Sequence, residues 1–328
     1  MAECPRQWVL AVETGGSGIH VRLVPRFPSP EPDSGSPRYE AHGPPGNLST
    51  LGIDTLGDRL LEVVLPLLDR ARADPGSVRL VLATAGFVPE NPPSLLSSRL
   101  TGYGFETPIL LTDIQAAYAG TGAIPGDICL IAGTGSVALG RREDGSWVQR
   151  GGWGPILGDE GSGYDLGHRA LVHLAHHLDG RGTGSTLIER LLDQLNLPAE
   201  AAVSGRIRDM AGHPHEIARL APTVLAAARE GIEPASTWVN SACRDLVDLV
   251  MTLLDTMGTT RRNSTIFFYG GLLLGDGWYR DRLTALLLQS RNENRSPREE
   301  KDGIQTKIAP VDSGLRGATR IGQETPWA

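Results

Sequence analysis

Residues 108–167 read PILLTDIQAAYAGTGAIPGDICLIAGTGSVALGRREDGSWVQRGGWGPILGDEGSGYDLG, and this stretch decides the fold. An apolar run is followed by a lone carboxylate, Asp113. A glycine turn comes next at Gly133–Ser136, and a second glycine-rich stretch carries an acidic pair, Asp159 and Glu160. Apolar strands that end in polar or glycine turns are typical of α/β sheets, whose ligands bind at the carboxyl ends of the strands.

Outside this stretch, the chain repeats one plan of strands and helices. WVLAVETGG, IHVRLVPRF and PRYEAHG predict three strands, and residues 51–73 carry apolar side chains at helical spacing. ICLIAGTGSVALGRRED and SWVQRGG predict three more strands, followed by a long helical region. STIFFYGG and TKIAPVD then correspond to VRLVLATAGF and PILLTD of the first half. Such self-similarity indicates a duplicated unit.

The duplication predicts two similar α/β domains that face each other across a central cleft. We place the N-terminal domain at residues 1–119 and the C-terminal domain at residues 120–328. The second domain is expected to carry a helical insertion, and its final helix could pack back on the first domain.

The composition is that of an ordinary globular chain. Its 328 residues are 40% hydrophobic and 21% charged, and the formal net charge is −7. We see no basic stripe, so nucleic acid is not an expected partner. We also see no signal peptide and no apolar run long enough for a membrane span, and we expect a cytoplasmic protein with no membrane partner. Cys4, Cys129 and Cys243 lie far apart, which argues against a disulfide framework or a zinc site.

Asp113 is the first candidate for chemistry. An acid here could be a solvated residue at the start of a helix, since Thr112 and Gln115 form a plausible capping box around it. Asp312 occupies the same position in the second repeat and is expected to be structural. Asp113 differs because the two glycine-rich stretches follow it. In that setting it could accept the proton of a sugar hydroxyl that attacks a γ-phosphate.

Two glycine turns at mirrored positions could bind phosphate. Each could be a plain hairpin, but small residues also let backbone N–H groups approach phosphate oxygens. The first turn has an acid that could hold a water on Mg²⁺. Neither turn matches the GxxxxGK[ST] pattern. The residues are Glu13, Thr14, Gly15, Gly16, Ser17 and Gly18 in the first turn, and Gly133, Thr134, Gly135 and Ser136 in the second.

Three further segments could contact ligands. The stretch with Gly152, Trp153, Asp159 and Glu160 could be a tight loop with a core tryptophan and a helix cap, or a clamp for vicinal sugar hydroxyls. Asn47 is expected in a turn, where its amide could pair with a hydroxyl or an acetamide. The turn formed by Gly270 and Gly271 could join a strand to a helix or offer a flat platform to adenine or ribose.

With these residues the chain resembles the sugar-kinase/actin/Hsp70 superfamily. Within it, the chain looks like the N-acetylglucosamine kinase branch of the BadF/BadG/BcrA/BcrD ATPase family. IAGTGSVALG…GGWGPILGDEGSGYDLG is the most specific segment, and TDIQAAYAG supports it. The resemblance extends from VETGGSG to APVDSGLRGATRIG. It implies two duplicated domains of the ribonuclease H-like, actin-like ATPase fold.

The resemblance implies a kinase that uses ATP and Mg²⁺ to phosphorylate the 6-hydroxyl of an amino sugar, with N-acetylglucosamine as the first candidate. Asp113 would be the catalytic base, and Glu13 and Asp113 would hold Mg²⁺, through water if not directly. ATP would bind at Glu13, Gly15, Gly16, Ser17, Gly133, Thr134, Gly135, Ser136, Gly270 and Gly271. The sugar would bind at Asn47, Asp113, Thr134, Gly152, Trp153, Asp159 and Glu160. Because dimers are common in the resembled family, we expect a homodimer.

The first glycine turn departs from the family pattern, in which an acid, three glycines and Thr precede Lys or Arg. Here Thr14 replaces the first glycine, Ser17 replaces Thr, and Gly18 replaces the basic residue. A weaker hold on phosphate would follow unless another Arg supplies the charge. Glucosamine, N-acetylmannosamine and N-acetylmuramic acid stay open as acceptors. An ATPase that drives electron transfer is disfavoured by the scattered cysteines, and a non-catalytic sugar sensor is disfavoured by Asp113.

Overall fold

The computed structural model describes residues 8–15, 18–27, 38–87, 94–182, 185–197, 203–210, 212–258, 264–293 and 304–324. The strands in these ranges are β1 (Trp8–Thr14), β2 (Ile19–Pro25), β3 (Tyr39–Gly43), β4 (Val78–Thr84), β5 (Ile109–Thr112), β6 (Ile128–Ala132), β7 (Ser136–Arg141), β8 (Trp147–Gly151), β9 (Ser264–Tyr269) and β10 (Ile304–Ile308).

The α-helices in the same ranges begin with α1 (Leu48–Ala71), which is broken at Gly52. The others are α2 (Ser94–Gly102), α3 (Asp113–Thr121), α4 (Gly163–Leu178), α5 (Thr186–Gln194), α6 (Val203–Met210), α7 (Pro214–Ala218), α8 (Ala221–Arg229), α9 (Ala235–Met257), α10 (Gly271–Gly275), α11 (Gly277–Glu293) and α12 (Ser313–Gln323). In this part of the chain, no helix combines the length and the apolar character that a membrane crossing requires.

The strands form two five-stranded mixed sheets of the same topology. The first sheet has the order β3-β2-β1-β4-β5, and the second has the order β8-β7-β6-β9-β10. In each sheet the first three strands along the chain pair antiparallel, and the last two join in parallel. The repeat seen in the sequence is therefore a repeat in structure.

The chain packs as two compact units. One unit contains residues 1–122 together with residues 312–328, and the other contains residues 123–311. Helix α12 therefore belongs to the first unit, although β10 before it belongs to the second sheet. These units are compact parts of the fold and do not by themselves define domains. The division into domains between residues 119 and 120 therefore stays a prediction.

The central strands of the first sheet are apolar on both faces because helices cover both. Leu10, Val12 and Ile19 point toward α1 and join its buried side chains in one core cluster. On the opposite face, Ala11 and Val81 pack with apolar residues of α12. Strands covered on both faces read as continuous apolar runs, as WVLAV and VRLVLA do.

Helices α3 and α12 pack backbone to backbone within the first unit. A Cβ atom built on Gly120 would lie 1.9 Å from the Ser313 carbonyl oxygen. One built on Gly317 would lie 1.8 Å from the Ala116 carbonyl oxygen. Only glycine allows this approach at both crossing points. The helix that begins with Asp113 is thereby fixed against α12.

The second unit carries its helices α4–α9 between β8 and β9, at the place where the first unit has α1. Their apolar faces bury one large cluster against the sheet, with Leu166, Val224, Leu246 and Phe268 among its members. Helix α4 begins immediately after the glycine-rich acidic stretch, so this core also supports the predicted sugar-binding loop.

Candidate active site

The carboxyl ends of three parallel strands meet at one edge of the first sheet. Thr14 of β1 is in register with Thr84 of β4, and Thr84 is in register with Thr112 of β5. The Thr14 hydroxyl donates a 2.7 Å hydrogen bond to the Thr84 hydroxyl, and both residues are buried. The residues that follow these strands therefore lie side by side, and Asp113 is one of them.

Asp113 is the first residue of α3 and is half-buried. The predicted capping box is present: the Gln115 amide donates to the Thr112 hydroxyl at 3.1 Å, and the Thr112 amide donates to the Gln115 side chain at 3.0 Å. The Ile114 amide donates to the Asp113 carboxylate at 3.0 Å. Burial raises the pKa of Asp113, although this amide hydrogen bond opposes the shift. A carboxylate with a raised pKa is a stronger base than an exposed one.

The first glycine turn is tied to the segment that contains Asn47. The Gly46 amide donates to the Gly15 carbonyl oxygen at 2.9 Å, and a Cβ atom on Gly46 would lie 2.7 Å from Ile19. The Ala85 amide donates to the Thr14 carbonyl oxygen, and the Leu48 amide donates to the Ala85 carbonyl oxygen, both at 3.0 Å. The structure thus brings Gly15, Asn47 and the end of β4 together. Two predicted residues of this turn, Gly16 and Ser17, lie outside the described residues.

Glu13 faces the beginning of α12. A Cβ atom on Gly314, the second residue of that helix, would overlap the Glu13 carboxylate, with 2.1 Å to Oε1. A helix N-terminus carries partial positive charge and exposed amides, so it stabilises a carboxylate. The missing side chain at Gly314 is what lets Glu13 lie there. Glu13 is therefore a fixed acidic group at the end of β1.

Asp312, the counterpart of Asp113, forms an ion pair. Its carboxylate accepts a 2.9 Å hydrogen bond from the buried Arg22 guanidinium, which also donates to Glu40 at 2.8 Å. Arg22 lowers the pKa of Glu40 through this hydrogen bond. The side chain of Asp312 thus binds an arginine, as expected of a structural residue. Arg22 is engaged by two carboxylates and is a poor replacement for the basic residue missing at Gly18.

In the second unit, the Gly133–Ser136 turn is bonded to the beginning of α4. The Gly163 amide donates to the Gly133 carbonyl oxygen at 2.8 Å, and the Tyr164 amide donates to the Thr134 carbonyl oxygen at 3.1 Å. A Cβ atom on Gly163 would lie 2.9 Å from the Gly133 oxygen, so glycine is needed for this approach. Thr134 itself is exposed. The backbone of the turn is fixed while its threonine side chain stays accessible.

Asp159 is buried against the same turn. Its carboxylate accepts a 3.1 Å hydrogen bond from the Ser136 amide, and its φ of 64° is in the left-handed region. Burial raises the pKa of Asp159, the Ser136 amide opposes this, and the charge of Glu160 adds to it. Glu160 is exposed, and its carbonyl oxygen accepts a 2.7 Å hydrogen bond from the Ser136 hydroxyl. The two predicted sugar-binding acids therefore differ: Asp159 supports the turn, and Glu160 presents its carboxylate to solvent.

We predict that Gly135→Ala destabilises the protein by about 2 kcal/mol. The new methyl group would lie 2.7 and 2.8 Å from the Asp159 carboxylate oxygens, which the Ser136 amide holds in place. Urea unfolding measures the loss.

Gly275→Ala is the control, because a methyl group there meets no atom within 4 Å. In an Asp159→Gly background the cost of Gly135→Ala should largely disappear, because the collision partner is gone. The same cost in both backgrounds would contradict the assigned contact.

The loop before Asp159 is compact and exposes apolar side chains. The Gly158 amide donates to the Gly154 carbonyl oxygen at 2.9 Å, and the Gly152 amide donates to the Ser136 carbonyl oxygen at 3.0 Å. Trp153 is 75% exposed, so it is no core residue, contrary to the structural alternative considered from sequence. Gly152 and Trp153 thus lie at the surface next to the Gly133–Ser136 turn.

Gly270 and Gly271 complete the cluster of turns in the second unit. Gly270 has φ of 94°, and a Cβ atom there would lie 2.7 Å from the Ala132 carbonyl oxygen. Gly271 starts α10 and is exposed, with no atom near its missing side chain. Gly133 packs against this pair, since a Cβ atom on Gly133 would lie 3.3 Å from the Gly271 amide nitrogen. An accessible backbone surface therefore adjoins the Gly133–Ser136 turn.

Four residues that matter for this geometry were missed in the sequence. Thr84 could have been found, because Thr stands at the end of three apolar strands, at positions 14, 84 and 112. Arg22, Gly314 and Tyr279 had no such signal, since their partners are distant in sequence or are backbone atoms. In the described residues, no group of three or more His, Cys, Asp or Glu side chains is placed to hold a metal ion.

Residues 111–301 match the model of the BadF/BadG/BcrA/BcrD ATPase family. The chain belongs to this family. The matched range begins just before Asp113 and includes the Gly133–Ser136 turn, the acidic pair and Gly270. The resemblance recognised from the sequence motifs is thereby confirmed.

Two relatives and one solved structure are similar to this chain. The N-acetylmuramic acid/N-acetylglucosamine kinase of Clostridium acetobutylicum is 26% identical over 276 residues, covering 81% of this chain and 86% of that protein. The N-acetyl-D-glucosamine kinase of Dictyostelium discoideum is 29% identical over 179 residues, covering 54% of this chain and 56% of that protein.

A Chromobacterium violaceum structure assigned as an N-acetylglucosamine kinase matches with a TM-score of 0.73 and 25% identity, covering 96% of this chain and 99% of that one. The expected α/β fold with two duplicated actin-like ATPase domains is confirmed by this match and by the two sheets of equal topology.

Proposed function

We propose that this protein is an ATP-dependent kinase that phosphorylates an amino sugar at its 6-hydroxyl, with N-acetylglucosamine as the first candidate acceptor. The observation that carries the proposal is Asp113, a half-buried carboxylate with a raised pKa at the carboxyl end of a parallel strand. Family membership and the amino-sugar kinases among the relatives support the same reaction class.

Asp113 is proposed to act as the general base. Its carboxylate would accept the proton of the sugar hydroxyl as the hydroxyl oxygen bonds to the γ-phosphorus of ATP. The backbone amides of Ile114 and of Asp113 itself hydrogen-bond the carboxylate and fix its orientation at the start of α3. Helix α3 cannot rotate away, because Gly120 and Gly317 lock it against α12.

The residues present fit Mg-ATP. Mg²⁺ is usually bound in proteins by one or two carboxylates together with waters and phosphates. Glu13 in β1 and Asp113 after β5 are two carboxylates near the carboxyl ends of strands of one sheet, with β4 between them, and they would hold the ion through waters. When bound, Mg²⁺ neutralises charge on the transferring phosphate. The backbone of Gly15 and of the Gly133–Ser136 turn would contact phosphates, and the exposed surface at Gly270 and Gly271 would contact adenosine.

The sugar is proposed to bind Asn47, Thr134, Gly152, Trp153 and Glu160. Thr134, Trp153 and Glu160 are exposed and adjoin one turn, and they offer a hydroxyl, an indole and a carboxylate. Carboxylates pair well with sugar hydroxyls, and the indole face suits the apolar C–H groups of a sugar ring. Asp159 would take part mainly through the turn that it supports.

An ATPase that drives electron transfer fits this chain poorly. The described cysteines, Cys129 and Cys243, are both fully buried. Burial raises the pKa of Cys243 to about 12, so its thiol stays protonated at neutral pH. A cluster shared between subunits needs accessible thiolates. We further propose that the protein is cytoplasmic and forms a homodimer, as in the resembled family.

The test is a coupled assay of ADP release with Mg-ATP and a panel of sugars. The panel contains N-acetylglucosamine, glucosamine, N-acetylmannosamine, N-acetylmuramic acid and glucose. We expect the highest kcat/KM with an amino sugar, and ¹H–³¹P NMR of the product should show phosphate on the 6-hydroxyl. ATP turnover that no sugar accelerates would reject the kinase assignment.

We predict an acid limb in the pH dependence of kcat/KM with a midpoint above 3.8, the ordinary pKa of Asp. Burial raises the pKa of Asp113, so the base becomes protonated and inactive at a higher pH than an exposed carboxyl would. Activity should therefore fall as the pH falls through the raised value. Circular dichroism at each pH controls for unfolding, and a limb at or below the ordinary value would contradict the role of Asp113.

A further inference from the structure

Tyr279 lies beneath the loop that carries the proposed sugar contacts. It is fully buried on α11, and its hydroxyl donates a 2.8 Å hydrogen bond to the Gly161 carbonyl oxygen. The Cys243 side chain of α9 hydrogen-bonds the same hydroxyl. Burial raises the pKa of Tyr279 well above its ordinary value, so the phenol stays a neutral donor.

Gly161 is held from three directions. Its φ is 73°, and a Cβ atom there would lie 2.5 Å from Leu246 and 2.6 Å from the Ala242 carbonyl oxygen, both on α9. Its amide donates to the Asp165 carboxylate of α4 at 3.0 Å, and its carbonyl oxygen accepts from Tyr279 of α11. Both backbone polar groups of Gly161 are thus satisfied by side chains that the helical core positions.

Residues on both sides of Gly161 are hydrogen-bonded to the Gly133–Ser136 turn. On one side, the Glu160 carbonyl oxygen accepts a 2.7 Å hydrogen bond from the Ser136 hydroxyl. On the other side, the amides of Gly163 and Tyr164 donate to carbonyl oxygens of the turn at 2.8 and 3.1 Å. A shift of Gly161 would therefore move Glu160 and the turn together.

We propose that Tyr279 is a positioning residue for sugar recognition, acting through its hydrogen bond to Gly161. The inference rests on the proposed function, because sugar is its ligand. Tyr279 is buried below the loop and acts only through it. Its hydroxyl sets the place of Gly161, and through it the place of the exposed Glu160 carboxylate and of Thr134.

The test compares Tyr279→Phe with Leu287→Val, a variant at a fully buried position on the same helix. Phe keeps the ring and removes only the hydroxyl, so the protein is expected to fold. Two readouts are needed: steady-state kinetics, and hydrogen exchange of residues 159–164 in the protein without ligand. The exchange readout needs no activity.

We expect Tyr279→Phe to raise the KM for the amino sugar about tenfold, with a smaller change in the KM for ATP. Amides of residues 159–164 should exchange faster, while α9 keeps its protection. Leu287→Val should lower the melting temperature about as much as Tyr279→Phe does. It should change neither the KM for the amino sugar nor the exchange of residues 159–164.

Equal sugar KM and equal exchange in the two variants would overturn the inference. If no sugar in the panel increases the ATP turnover of the wild-type protein, the proposed function fails. The comparison of hydrogen exchange still decides whether Tyr279 holds the loop.

Discussion

Asp113→Asn is expected to lower kcat by about three orders of magnitude and to leave the protein folded. The variant keeps the size of the side chain and can still accept the Ile114 amide, but an amide cannot take a proton from the acceptor hydroxyl. Coupled ADP release with saturating sugar and ATP measures the loss. Turnover within tenfold of wild type would exclude Asp113 as the base.

The same substitution should stabilise the fold near neutral pH. A folded-state pKa above the unfolded value means that the folded chain binds the proton more tightly, so ionisation of Asp113 costs folding free energy once the pH exceeds the ordinary value of 3.8. Asn avoids that cost. The stability advantage of the variant should grow as the pH rises through the window between the ordinary and the raised pKa, and then stay constant. Urea unfolding across this range measures it.

Asp312→Asn is the matched control. Asp312 lies between β10 and α12, where it is the N-cap of the helix, and it pairs with the buried Arg22. Removing its charge should lower stability slightly, since Glu40 still pairs with Arg22, and should leave turnover near that of the wild type. Asp113→Asn should therefore lose activity and gain stability, whereas Asp312→Asn should keep its activity and lose stability. Equal losses of activity in both variants would mean that Asp113 acts through structure.

Gly317→Ala is expected to be the most destabilising glycine-to-alanine substitution in the first unit. It should lower the free energy of unfolding by about 3 kcal/mol or more. The methyl group would lie 1.8 Å from the Ala116 carbonyl oxygen and 2.8 Å from the Gly120 amide nitrogen. These are backbone atoms of α3, which cannot move aside as a side chain can. Helices α3 and α12 would have to separate, which would also shift Asp113 and the Gly314 end of α12.

Thermal and urea unfolding measure the effect of Gly317→Ala. Gly102→Ala is the control in the same unit, because that glycine ends α2 and a methyl group there meets no atom within 4 Å. It should be neutral or slightly stabilising. A wild-type melting temperature for Gly317→Ala would show that α3 and α12 do not pack through their backbones.

Much of the fold follows from local sequence. Alternating and continuous apolar runs located the strands, and the repeated order of elements predicted the two sheets of equal topology. The capping box of Thr112 and Gln115 was readable because its partners are three residues apart. A helix was predicted over residues 51–73, and the part of α1 that follows the non-helical Gly52 (φ 74°, ψ 171°) lies within that range. The short helical segment before Gly52 was not predicted, because it is too brief to show periodicity.

The candidate site was predictable only as a set of segments. Glycine turns and strand-end acids can be read along the chain, because each is a local backbone requirement. The sequence did not show that similar acids in these segments have different environments. Asp159 and Glu160 are adjacent and chemically alike, yet one is buried against Ser136 and the other is exposed. Likewise, Asp113 and Asp312 both lie between the last strand of a sheet and the helix that follows it, yet only Asp312 binds Arg22.

The amino-acid sequence alone determined the elements, the duplication and the short-range caps of this protein, because these depend on neighbours within a few residues. The tertiary structure decided which distant groups meet: Glu13 with Gly314, Gly317 with Ala116, and Tyr279 with Gly161. Such contacts depend on how helices pack on a sheet, and packing constrains residues separated by a hundred or more positions. A missing Cβ atom or a single buried hydroxyl settles them, and neither leaves a periodic pattern in the chain.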